Sequence, residues 1–215
     1  MLGRLRAALG RDYASLLERA RGDVRMGVGL NPPGCLPPLN RAIAALERLP
    51  ASPETAALLA RALRAKAEVV QGMAARHLRA RAVAKLQSLL DKPRLAVADR
   101  AALLQVLAQV WLPMAEDGAD PERSLRQIKR AEDAQDQALA LVAPTAAAHL
   151  ARAEIALALC GHPLCHDPQQ AAALVLHHAG AARSCGADAD QGATADALET
   201  AVLDRFPRLR PASDR

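Results

Sequence analysis

The densest chemistry in the chain lies in Cys160-Gly161-His162-Pro163-Leu164-Cys165-His166-Asp167. Thiolate and imidazole are the ligands zinc takes in tetrahedral sites, provided they converge. The predicted ligand set is Cys160, His162, Cys165 and His166, with His177 or His178 on the next helix as a further donor. Zinc is the one cofactor this run suggests; otherwise none is expected. A local Cys160–Cys165 disulfide or redox pair is the other reactive reading. Against both, the spacing matches none of the common two-knuckle zinc signatures. Cys160 also closes an apolar face with Ile155 and Leu159, where a buried free thiol is ordinary.

Other chemistry is sparse. There is no Gly-x-Ser-x-Gly elbow and no His-Glu-x-x-His pair. His149 and His177 fall among alanines and leucines and read as packed or half-exposed side chains, not catalytic ones. His77, Arg81 and Lys85, four apart, form a stripe that either binds phosphate or faces solvent. Gly27-x-Gly29 resembles the start of a phosphate loop, but no strand precedes it and no Lys-Ser/Thr follows. The expected protein is not an enzyme.

Composition decides which elements must position these groups. Hydrophobic residues make up 51% of the 215 and aromatics 1%, so the core is built of Ala, Leu and Val. Alanine is the best helix former, and no run alternates over a strand length. The fold class is all-α. The same shortage of rings removes single-strand nucleic-acid platforms and methyl-lysine cages, which need exposed aromatics. No apolar run reaches membrane-spanning length and the amino terminus has no signal-peptide core, so a cytoplasmic location is expected. Four cysteines are too few for a disulfide scaffold of this size.

Net charge is +5, but residues 1–100 hold 18 Lys/Arg against 8 Asp/Glu, and residues 101–215 hold 10 against 15. The halves therefore carry +10 and −5. That layout suits an acidic partner on the first half or head-to-tail self-association; arginines filling solvated helix faces account for it equally well.

Helix boundaries follow from punctuation. An amphipathic helix is predicted from Leu2 to Arg21, with Leu2, Leu5, Leu9, Leu16 and Leu17 near one face. A Gly/Pro-rich loop then runs to residue 38. A short helix covers Leu39–Leu49. Ser52-Pro53-Glu54 and Asp120-Pro121-Glu122 are helix starts, with a capping side chain, proline at the first position and an acid in the first turn. After a turn at Gln71-Gly72, the helix of residues 73–90 buries Ala75, Leu78, Ala82, Leu86 and Leu89, leaving Arg76, Arg79, Arg81 and Lys85 off that line. Residues 97–112 are apolar nearly all round and end at Pro113, with Trp111 as anchor. Residues 121–142 are polar along Gln127–Gln137, as an outer layer would be. Thr145 caps the next helix, which runs to Cys160. Further helices span 168–184 and 189–206, and the tail 207–215 is expected to be disordered.

Helices opening at Pro53, Val97, Thr145 and Ala189 are separated by 44, 48 and 44 residues. A near-constant period of this kind predicts an α-solenoid of stacked helical hairpins over residues 39–206, preceded by an N-terminal arm over residues 1–38. Leu59-Ala60 with Leu63, Leu150-Ala151, and Ala131, Ala138 and Leu139 before Pro144 resemble the helix-A and helix-B patterns of the tetratricopeptide-repeat family. The period is longer than that family's usual ~34, and Glu154 stands where an aromatic is expected. The resemblance implies a groove lined by Arg61, Arg64 and Arg152 that grips acidic side chains or a peptide carboxylate. The expected function is a non-catalytic scaffold or adaptor that binds another protein or an acidic peptide. A metal- or redox-responsive regulator centred on Cys160–His166 is the alternative. Electrostatic nucleic-acid binding by the first half is a third reading, without a helix-turn-helix signature to support it.

Overall fold

The computed structural model describes residues 2–116 and 120–209, with side chains described from residue 12 onward. All regular structure among them is helical. The helices are α1 (Leu2–Gly29), α2 (Leu36–Arg48), α3 (Pro53–Val69), α4 (Gly72–Leu90), α5 (Val97–Glu116), α6 (Pro121–Leu141), α7 (Ala146–Gly161), α8 (Pro168–Ser184) and α9 (Ala189–Arg205), followed by a 3₁₀ turn at Pro207–Leu209. The chain divides into two compact units, Met1–Val110 and Trp111–Arg215. No helix among the described residues is long and apolar enough to cross a membrane.

Local chemistry sets most helix starts. Ser52 accepts from the Thr55 amide at 3.2 Å, and Thr55 Oγ1 accepts in return from the Ser52 amide at 2.9 Å, a reciprocal cap ahead of α3. Thr145 and Asp120 cap α7 and α6 as their positions predict, accepting from Ala148 and Glu122 amides. Asp188 and Gln191 close a second reciprocal cap on α9. Each such cap stabilises by about 1 kcal/mol. Gly72 and Gly186 turn the chain with φ of 66° and 79°, the left-handed region that favours glycine.

Two predicted boundaries move by four residues or more. α1 does not stop at Arg21 but continues through Gly22 and Gly27 to Gly29, so the interruption before α2 shrinks to residues 30–35. Glycine weakens a helix by about 1 kcal/mol without breaking it, and packing offsets that cost. Leu17, Ala20, Val24 and Gly27, three or four apart, form one buried stripe. At Gly27 an added Cβ would lie 2.5 Å from Leu39 Cγ, so the missing side chain is what lets α2 approach. The side chains of Leu2, Leu5 and Leu9 lie outside the described residues, and Leu16 is exposed while Leu17 is buried. The second boundary is Pro113, which lies inside α5. The cost of the missing N–H is met by burial of Val110, Trp111 and Ala115 on either side.

In the first unit α1 packs on α2 and α3, α2 on α3, and α3 on α4. The first helix is therefore not a detached arm. In the second unit α6 packs on α7, α7 on α8 and α9, and α8 on α9. The 3₁₀ turn rests against α9, and the rest of the expected tail, residues 210–215, lies outside the described residues. From α1 to α4 and from α6 to α9 each helix touches its successor, and at α1–α3 and α7–α9 also the helix two along. α3, α5, α7 and α9 open at residues 53, 97, 146 and 189, within one residue of the predicted repeat starts.

Side chains at core-facing positions depart from expectation. Arg79 is buried, because 75, 79, 82 and 86 share one stripe of α4. α6 is not simply an outer layer: Gln127 and Gln135 are buried beside Ile128, Ala131, Ala134 and Ala138. Gln135 is fully enclosed and donates to the Ala148 carbonyl of α7 at 2.8 Å. Trp111 is buried as predicted, with the Arg130 guanidinium 5.0 Å above its ring.

Candidate functional site

The feature best suited to a ligand in the first unit is an open groove of about 470 Å³ between the C-terminal half of α1 and α3. Val24, Val28 and Leu58 supply its apolar surface; Arg21, Arg25 and Arg61 supply cationic groups. Val28 is 64% exposed, and Met26 and Leu30 beside it are exposed too. Arg21 is already engaged, bonded to Glu18 at 2.7 Å and paired with Glu54 of α3. Arg25 and Arg61 are exposed. Although Arg61 keeps an exposed surface, partial desolvation against the groove wall, reinforced by the Arg64 charge one turn along, pushes its pKa below the ordinary value. Its cation is destabilised by its surroundings and would gain from an incoming carboxylate.

The three predicted anchors therefore separate. Arg61 lines the groove. Arg64, half-buried, turns its Nε toward Glu68 at 3.4 Å and is not part of the groove wall. Arg152 lies in the second unit, only 4% exposed, with Nε 2.6 Å from Asp136 and Nη2 2.7 Å from Glu132. Both carboxylates come from α6, so this guanidinium holds α7 to α6 and is not an open anchor. The reason is positional: Ala148, Arg152, Ile155 and Leu159 form the buried stripe of α7.

The Cys/His loop does not assemble its predicted ligands. Cys160 is buried at the end of α7, where burial pushes its thiol pKa up; Arg205 opposes that shift and Cys165 adds to it. His162 Nδ1 accepts from the Leu164 amide at 3.1 Å, so one of its lone pairs serves the turn. His166 is exposed, and Asp167 caps α8 through the Gln170 amide at 2.8 Å. Among the described residues no three His, Cys, Asp or Glu side chains are grouped to hold a metal, and all four cysteines are free thiols. The loop does flank a cavity of about 260 Å³, with Cys165 and His166 beside Leu125, Leu159 and Leu174. The phosphate stripe is likewise divided, since Arg81 pairs with Glu47 of α2.

What sequence reading missed is a histidine cluster. His149 of α7 and His178 of α8 approach Nδ1 to Nδ1 at 3.0 Å, with ring centroids 5.3 Å apart. His177 meets the His178 ring edge-on at 5.0 Å. Burial, then Arg152, and then the other two histidines push the His178 pKa down to about 4, against an opposing pull from Asp136. Burial, with His177 second, lowers that of His149. A separation of 29 residues left no local signal for this pair.

Compared with protein-family models, curated proteins and solved structures, the chain matches none.

Proposed function

We propose that the chain is a non-catalytic scaffold of stacked, tetratricopeptide-like helical hairpins that binds an acidic segment of another protein in the α1–α3 groove. The observation that carries this reading is the groove itself, where an apolar surface and the exposed Arg25 and Arg61 lie together in a unit of net charge +10. An amphipathic acidic peptide fits both: an aliphatic side chain against Val24, Val28 and Leu58, and carboxylates on the guanidinium forks. The helix spacing and the contacts between alternate helices support the repeat reading. Free thiols at all four cysteines suit a reducing compartment such as the cytoplasm.

Fluorescence anisotropy with a labelled Leu/Glu amphipathic peptide tests this. The Arg25→Glu, Arg61→Glu double variant should bind at least about tenfold more weakly, a loss in the range expected for reversing interfacial charges, with unchanged circular dichroism. Equal affinity for both proteins removes the groove from the account.

A further inference from the structure

The His149–His178 contact belongs neither to the groove nor to the cysteine loop. Its rings come from two packed helices, α7 and α8, and the facing nitrogens stand 3.0 Å apart. As a hydrogen bond, one Nδ1–H donates and the other Nδ1 accepts, so the two in-plane nitrogen sites face each other across one gap. An ion bonded at about 2.1 Å to each nitrogen would subtend about 90° across that gap. That is the cis angle of a tetragonal ion and is narrower than the tetrahedral angle zinc prefers.

We propose that His149 and His178 form a two-point chelate for divalent copper or nickel, bridging α7 and α8. The ring that accepts the hydrogen bond presents a bare Nδ1, and burial disfavours the charged form of both rings. Neutral imidazole is the form that binds these ions. Loading moves the shared proton from the donor Nδ1 to Nε2 of the same ring; the balance is a tautomer change, with no net proton release and no redox step. The cation facing His178 is Arg152, which pairs with Glu132 and Asp136; Asp136 offsets only part of its effect at His178. His177 immediately precedes His178 on the same helix and contacts it ring to ring, which makes it a neighbour of the chelate and not a third donor. With no three-residue ligand group among the described residues, the remaining coordination positions are open to water or to an external ligand.

Isothermal titration of the full chain, stripped with chelator and exchanged into buffer at pH 7.5, with NiCl₂ tests the proposal. One Ni²⁺ per chain is expected. Affinity should drop at least about tenfold in H149Q and in H178Q, and hold in H177Q and in the C160S/C165S double variant. A wild-type readout needs no substitution: Ni²⁺ should broaden the imidazole NMR signals of His149 and His178 ahead of those of His77, His162 and His166. Absence of saturable binding overturns the proposal. So does binding that survives both glutamine substitutions, binding that is lost in the cysteine variant, or broadening that begins at His162 or His166.

Discussion

At the scale of single residues, Arg152 shows how position overrides type. An arginine on a helix ordinarily signals a solvated face, but this one occupies the buried stripe of α7 and is neutralised by two acids one helical turn apart on α6. The carboxylates left behind, Glu132 and Asp136, are in part solvated, so the loss falls below that of a wholly buried pair. Arg152→Ala should lower stability by about 1–3 kcal/mol in urea unfolding while leaving acidic-peptide binding intact. A loss of binding without a loss of stability would restore it as an anchor. The cysteines should also sort by environment. Cys185 is exposed and should alkylate fastest, whereas Cys35 and Cys160 are buried and should react only as the chain opens. Burial also holds the Cys160 thiol protonated to higher pH than an ordinary cysteine, which slows it further. Mass spectrometry of iodoacetamide-treated protein reads the order. These environments could not be read from the Cys/His run, because convergence is a property of the loop's path. His162 and Asp167 serve turns and caps there.

At the scale of helices, features set within a few residues were legible and features set across helices were not. Ser52, Asp120, Thr145 and the turn at Gly72 could be read directly because a cap involves only neighbouring residues. The extension of α1 was not legible, since its glycines are tolerated only through packing that the local sequence does not announce. Gln135, Arg79 and the His149–His178 contact were missed for the same reason. The opposed roles of two α1 glycines give a direct check. At Gly22 an added Cβ meets open space, and Gly22→Ala should stabilise by about 0.5–1 kcal/mol. At Gly27 the same methyl would press into Leu39, and Gly27→Ala should destabilise by about 1–3 kcal/mol. Thermal unfolding should therefore move in opposite directions for the pair. A shift of the same sign in both would contradict the close approach of α1 and α2.

At the scale of the whole molecule, the charge asymmetry read from the sequence coincides with the structural division. Residues 101–110 carry no charged side chain, so the +10 and −5 halves are also the two compact units. The groove lies in the positive unit, and binding of an acidic peptide should weaken as salt is raised, because exposed charges are screened over a Debye length of about 10 Å at 0.1 M. The most direct test of the groove is a charge swap. The Arg25→Glu, Arg61→Glu variant should lose affinity for the Leu/Glu peptide and gain it for the matching Leu/Lys peptide, in one anisotropy series at low salt. If the variant treats the two peptides as the wild type does, the α1–α3 groove is not where this protein meets its partner.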